Sequence, residues 1–288
     1  MGNARSHNVF LSILLFTLSS RCCGNETNLE GKIIGGFDAK LNEFPAFVAL
    51  FVSETNQNKF LCGGCYVREF WIITAAHCLL NSKTLEKRPP DTVYTRMGMH
   101  RLDDHCQQRI PEELILHPQY KPMPQQTKFR DIGLVKLMLP FDITYDTVRL
   151  AALNARRKIS REVAVVGFGV INETIFKPSE VMQRVDLVVL KKRGDTLVCQ
   201  DTTPKGVCYG DSGGPLYVRK TQLVVGIVSA GVCTKGIGYY TNVRCYEKWL
   251  KNIMGMGVQL SARMALCICS FLLLLLYRYI LIYFLNNK

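Results

Sequence analysis

The sequence predicts an all-β protein that ends in one short helix and an apolar tail, and three observations predict it. Between residues 33 and 254 the chain carries short runs rich in Val, Ile and Phe, each bounded by Gly, Pro, Asn or Asp. Runs of that length and composition, cut by turn formers, are strands. Only Tyr246–Met254 in that span spaces its apolar residues at helical intervals. Beyond it, Met264–Leu285 is apolar almost throughout. Many short strands with so little helix point to a β sandwich or barrel.

Taken in chain order, Arg5 and His7 precede the apolar run Val9–Leu18, which ends at Ser19 and Ser20. A basic start, a short apolar centre and a small-residue exit mark residues 1–20 as a secretory signal peptide. Met1-Gly2 with Ser6 also fits a loose myristoylation pattern, but an export segment directly behind it argues against a cytosolic acylated protein. The candidate strands are Phe47–Val52, Phe70–Thr74, Ile132–Leu137, Val163–Gly167, Val185–Leu190 and Leu223–Ser229. Lys83–Asp91, with Pro89-Pro90, reads as a polar loop, and no internal repeat is present.

The tail, residues 264–285, is long enough to cross a bilayer as a helix rising about 1.5 Å per residue. Arg278 near its far end, beside Lys288, is placed to snorkel to the interface. Two membrane readings follow: a single spanning helix, or a lipid-anchor signal with Gly255 or a neighbouring small residue as the attachment point. The internal arginine and polar last triplet favour the spanning helix. Residues 255–263 are then a juxtamembrane stalk.

Composition bounds the function. A hydrophobic content of 48% excludes a disordered chain. Export makes most of the 12 cysteines candidate disulfides rather than metal ligands. Asn25-Glu26-Thr27 and Asn172-Glu173-Thr174 have the form of glycosylation acceptors. The net charge of +13 is densest at Arg156-Arg157-Lys158 with Arg161 and at Lys191-Lys192-Arg193. On an exported protein such clusters suit acidic glycans or anionic membrane rather than nucleic acid.

The chemistry begins at Gly210-Asp211-Ser212-Gly213-Gly214-Pro215. A serine hydroxyl attacks a carbonyl only when a base takes its proton and donors stabilise the oxyanion that forms. Glycines on both sides let the backbone turn tightly, which makes the amides of Gly210 and Ser212 candidate oxyanion donors. Upstream lie Thr74-Ala75-Ala76-His77-Cys78 and Asp131-Ile132-Gly133-Leu134-Val135. In the order His, Asp, Ser, His77 would take the proton of Ser212 while Asp131 fixes the imidazole tautomer and stabilises the imidazolium. The candidate catalytic residues are therefore His77, Asp131 and Ser212. No cofactor and no metal are expected.

These strings, with Ile33-Ile34-Gly35-Gly36, Gly167-Phe168-Gly169, Ser229-Ala230-Gly231 and Tyr240-Thr241-Asn242-Val243, resemble the chymotrypsin/trypsin family of serine proteases in order and spacing. The resemblance covers residues 33–254, about three quarters of the chain. It implies two six-stranded antiparallel β-barrels with the site in the cleft between them. It also implies a zymogen: residues 21–32 are a propeptide, cleaved between Lys32 and Ile33 by a trypsin-like protease. The freed amino group of Ile33 would then pair with Asp211.

The same resemblance places Gly206 at the base of the specificity pocket, Val207 beside it, and Gly231 and Gly238 on its walls. Ser229-Ala230-Gly231 would run alongside the substrate. With no charge at Gly206, a lysine or arginine head group would be left unpaired, so cleavage after apolar residues is expected. Lys235 near the pocket mouth is a further modifier. Disulfides Cys62–Cys78 and Cys208–Cys233 match family bridges. The customary partner of Cys199 is missing, Val163 and Val218 replace another bridge, and the pairing of Cys65, Cys106, Cys199 and Cys245 stays open. Ala230 stands where most relatives carry a tryptophan, so apolar contact worth roughly 25 cal/mol per Å² is lost upstream of the scissile bond. Met99 occupies the place of a calcium-ligating acid in some relatives.

Two other readings compete: a protease-fold binding protein at the cell surface that hydrolyses little, and a receptor whose β domain only binds. All triad residues are present, which favours the enzyme.

Overall fold

The computed structural model describes residues 36–54, 57–122, 130–143, 159–170, 177–200, 206–221, 223–232 and 236–255. The signal segment, Asn25, Lys32, Ile33, Asn172, Cys233, Lys235 and the 264–285 tail lie outside the described residues. Among those described, no helix is long and apolar enough to cross a membrane.

The first barrel grows from a long hairpin. Strand β2 (Phe47–Glu54) pairs antiparallel with β3 (Gln57–Arg68), in register from Phe47 opposite Cys65 to Glu54 opposite Gln57. Phe47–Val52 are all buried, which is why β2 reads in sequence as an unbroken apolar run. β3 passes to β4 (Trp71–Thr74), β4 to β8 (Gly133–Leu137), and β8 to β7 (Pro111–Leu116). On the other side β2 pairs β5 (Val93–Met97), and β5 pairs β6 (Gln107–Arg109). β6 and β7 are one length of chain broken at Ile110, so this bent strand touches both ends of the sheet and closes it.

The second barrel closes by direct pairing. β10 (Gln183–Arg193), β11 (Thr196–Gln200), β14 (Ile237–Asn242), β13 (Val224–Val232), β12 (Pro215–Val218) and β9 (Glu162–Gly167) follow one another, and β9 returns to β10. The two-residue β1 (Phe37–Asp38) adds to β10. Each barrel therefore has six antiparallel strands, as the resemblance implies.

All six strands expected from composition form, with shifted ends; the largest extension is β10, which runs through the charged Lys191, Lys192 and Arg193. Val163 and Val218, expected to pack in place of a bridge, are direct partners across β9 and β12 and are both buried. Met99 is buried in the first core. The expected C-terminal helix begins later than Tyr246, because Val243–Tyr246 is a 3-10 turn whose Arg244 N–H donates to the Asn242 side chain at 3.3 Å. The α-helix then spans 247–255 and buries Leu250 and Met254 against the first core.

Candidate active site

The buried strand β4 delivers the chain through Ala75 into the 3-10 turn Ala76–Leu79, which carries His77. A disulfide between Cys62 and Cys78 ties that turn to β3. Asp131 opens the approach to β8, is fully buried, and accepts hydrogen bonds on all three of its oxygens. Its Oδ1 accepts the His77 backbone N–H at 3.0 Å, and its Oδ2 pairs with His77 Nδ1 at 2.8 Å. The Ser229 hydroxyl donates to the same Oδ2 at 2.6 Å, and the Thr241 hydroxyl donates to the Asp131 carbonyl at 2.7 Å. Burial alone pushes the Asp131 carboxyl up, but His77 and the Ser229 hydroxyl outweigh it and hold the group below the ordinary carboxylate value. A carboxylate held ionised against Nδ1 fixes which imidazole nitrogen keeps its proton and leaves Nε2 as the base.

The residue before Asp131 has an unusual backbone. Arg130 sits at φ +56°, left-handed for a side chain with a Cβ, and its carbonyl accepts the Ile132 N–H at 2.9 Å. This tight turn is centred on Asp131 itself.

The Gly210–Pro215 segment packs against the His77 side of the cleft. Gly63 N–H donates to the Ser212 carbonyl at 2.8 Å. Gly213 adopts φ +78°, and a Cβ there would lie 2.2 Å from the Thr74 hydroxyl and 3.2 Å from the Ala75 nitrogen. Only glycine allows this approach, which sets Ser212 beside the segment that bears His77. Asp211 N–H and Gly213 N–H are spent on the carbonyls of Cys208 and Val228. The amides of Gly210 and Ser212 are given to no backbone carbonyl among the described residues.

Asp211 points the other way, into the second barrel. Its Oδ1 accepts from Gly169 N–H and its Oδ2 from Cys208 N–H, both at 2.9 Å. A Cβ on Gly169 would stand 2.3 Å from the carboxyl carbon, so the Gly167-Phe168-Gly169 segment is a cradle shaped to this one side chain. Burial pushes the Asp211 carboxyl up to about 6, against the opposing pull of the two amides. No cationic side chain among the described residues is paired with it.

The pocket residues gather beside the nucleophile segment. Gly206 and Val207 are buried, and Val207 presses its side chain and carbonyl against the face of Gly231. Gly238 lies against the ring of Tyr240, whose buried hydroxyl has no hydrogen-bond partner among the described residues. Cys208 is disulfide-bonded. Cys65, Cys106, Cys199 and Cys245 are free thiols, so none of the three pairings left open among them forms. Cys65 instead lies against the Tyr217 hydroxyl in the core at 3.6 Å.

The structure joins His77 to Asp131 by hydrogen bonds and sets the Ser212 backbone against Gly63 of β3, with Gly213 close to the Thr74-Ala75 stretch that leads to His77. The hydroxyl of Ser229, in the stretch expected to run alongside the substrate, points to Asp131. Thr241, Gly63 and the Gly169 cradle were not singled out for a role by sequence. Thr241 and Gly169 lie in matching segments and Gly63 follows Cys62, but the signal there is a bland Thr or Gly whose importance depends on a partner far away in the chain.

A family model described as Trypsin matches residues 33–250. The chain is 30% identical to human Kallikrein-7 over 269 residues, 87% of this chain and 98% of that relative. It is 29% identical to human Kallikrein-11, covering 85% and 86% of the two chains. Against the Clotting factor G beta subunit of Tachypleus tridentatus it is 28% identical, covering 77% and 79%.

Proposed function

Because this chain belongs to the trypsin family and is a serine-type endopeptidase, we propose that His77, Asp131 and Ser212 are its catalytic triad and that it is exported as a zymogen cleaved between Lys32 and Ile33. The observation that carries the triad is the full commitment of Asp131: both carboxylate oxygens serve His77 while the residue is sealed from water. His77 Nε2 takes the Ser212 proton as Oγ attacks the substrate carbonyl. The amides of Gly210 and Ser212 hold the oxyanion, and the proton passes to the leaving amine, leaving an acyl-serine. Water, deprotonated by the same nitrogen, then releases the acid and restores the serine.

Zymogen control is supported by Asp211. A buried carboxyl raised to about 6 lacks a counter-charge among the described residues, and a new amino group at Ile33 would supply one. The uncharged pocket built on Gly206, Val207, Gly231 and Gly238 supports cleavage after apolar residues. Export, with attachment through the 264–285 tail and glycans on Asn25 and Asn172, completes the reading. Its partners are then protein substrates, an activating trypsin-like protease, membrane and acidic glycans.

The test is labelling by a fluorophosphonate before and after cleavage at Lys32. Label on Ser212 only after cleavage is expected; absence of label from the cleaved, folded chain overturns the enzyme assignment of these residues. Hydrolysis of phenylalanyl, leucyl or valyl peptides faster than arginyl ones is expected, and the reverse order overturns the pocket reading.

A further inference from the structure

Pairing of β9 with β10 brings together two basic stretches that are far apart in sequence. The register runs to Val188 opposite Glu162, and the Val189 N–H then donates to the Arg161 carbonyl at 2.9 Å. Arg161 therefore lies across from Val189, and Lys191, Lys192 and Arg193 carry β10 on beyond the end of β9. All four cations are exposed. Past Val189, β10 has a partner on one side only among the described residues, and the facing β11 residues Val198, Leu197 and Thr196 bear no charge. The one acid in the connecting turn, Asp195, accepts from the Tyr246 hydroxyl instead.

Two other cations of the same barrel are neutralised. Arg219 pairs with Asp186 at 3.2 Å, and Arg184 is shared between Asp186 and Glu43. Among the described residues, Arg161, Lys191, Lys192 and Arg193 make no such ion pair. At about 3.3 Å per residue along a strand and about 4.8 Å between strands, each of the four is within roughly one Debye length, ~8 Å at physiological salt, of the next. Their potentials therefore add.

We propose that this projecting end of β10, with Arg161, Lys191, Lys192 and Arg193, is a binding site for a sulfated glycan chain. Side chains alternate along a strand, so Lys191 and Arg193 share one side of this end and Lys192 takes the other; a flexible linear polyanion lying along the strand can meet both sides, and its condensed counterions are released on contact. A membrane surface fits less well. Peripheral attachment relies on apolar side chains inserted beside the cations, and Leu190, 48% exposed, is the single large apolar residue exposed on this stretch. The site rests on the export reading, since sulfated glycans meet the protein outside the cell, but it does not depend on the triad.

The experiment is salt elution of the full chain, in neutral detergent, from immobilised heparin. The unsubstituted chain is compared with a triple variant (Lys191→Gln, Lys192→Gln, Arg193→Gln) and with a variant of equal charge loss elsewhere (Lys40→Gln, Lys83→Gln, Lys87→Gln). The triple variant should elute at lower salt, its log-affinity against log-salt slope shallower by about two to three from lost counterion release, while the second variant elutes close to the unsubstituted chain. Equal weakening in both variants means that binding follows net charge, and overturns the site. Failure of the unsubstituted chain to bind heparin, or binding to phosphatidylserine vesicles in its place, overturns it as well. Peptide hydrolysis measured on the same three proteins keeps the outcomes separate: heparin retention without hydrolysis counts against the protease reading alone.

Discussion

Two buried aspartates, eighty residues apart, show how differently the two barrels use one functional group. Asp131, at the mouth of the first barrel, is surrounded by donors that favour its charge: His77 Nδ1, the His77 amide and the Ser229 hydroxyl. Asp211, in the second, receives two backbone amides and no cation among the described residues, and burial wins, lifting it to about 6. One carboxyl is held ionised to lower pH than an ordinary aspartate. The other is ionised only at a cost until a partner arrives. Equal burial therefore does not mean equal chemistry; the donors decide.

The largest effect that tests this contrast is at Asp131. Asp131→Asn keeps the shape but offers His77 a donor amide, which stabilises the wrong imidazole tautomer. A fall in kcat of about 10⁴-fold is expected, the loss measured for the equivalent change in a relative of this family. Stopped-flow or steady-state assay of the cleaved chain measures it, and a loss below about tenfold would mean that Asp131 does not orient the base.

Asp211 comes next, and here the sign is opposite. Because its folded value lies above the ordinary 3.8, the stability it provides is present below about pH 4 and is lost as pH rises through about 6. That shift corresponds to about 3 kcal/mol, or roughly 6–12 °C in Tm for a domain of this size. The uncleaved chain should therefore melt at progressively lower temperature between pH 4 and pH 7, by scanning calorimetry. Cleavage at Lys32 should flatten that slope by supplying the Ile33 amino group, and Asp211→Asn should flatten it in both forms. An identical slope in cleaved and uncleaved chains breaks the proposed pairing. Asp131 works in the other direction: held below its ordinary value, it contributes stability above the unfolded pKa that is lost as pH falls through the folded one.

A third effect separates cradle from charge. With a Cβ 2.3 Å from the Asp211 carboxyl carbon, Gly169→Ala must displace the side chain. The cleaved variant should lose about 100-fold in kcat, in the range set by one missing oxyanion donor, while the His77–Asp131 hydrogen bond survives. Persistence of the low-field Nδ1–H proton signal in NMR checks the second half; its disappearance would show that the two aspartates are not independent.

How much of this was legible in the sequence follows from the range over which each feature is encoded. Strands such as β2 and β9 were visible because their apolar content is local and continuous. β6 and β7 were not, since Gln107-Gln108-Arg109 and Glu112-Glu113 carry no apolar period and are held as strands by β5 and β8. The residues proposed as the triad stand out in the sequence because three short strings follow one another in a fixed order. Thr241 and the Gly169 cradle were hidden because each acts on a residue that only folding brings near. The Ser229–Asp131 hydrogen bond was hidden for the same reason: its string places the backbone, and Asp131 decides where the hydroxyl goes.

The smallest predicted effect concerns how Asp131 is aimed. Arg130 holds φ +56°, where a β-branched side chain is disfavoured by more than about 1 kcal/mol while Asn or Gly is tolerated. Arg130→Val should relax toward extended backbone, break the Ile132 N–H to Arg130 carbonyl bond, and rotate Asp131 away from His77. A drop in kcat of about tenfold, equal to about 1.4 kcal/mol, is expected, with KM nearly unchanged because the pocket lies in the other barrel. Arg130→Asn, which accepts the left-handed turn, should stay within about twofold. If Asn and Val variants lose activity alike, the guanidinium and not the turn is what matters at this position, and the aim of Asp131 must be fixed by Thr241 and Ser229 alone.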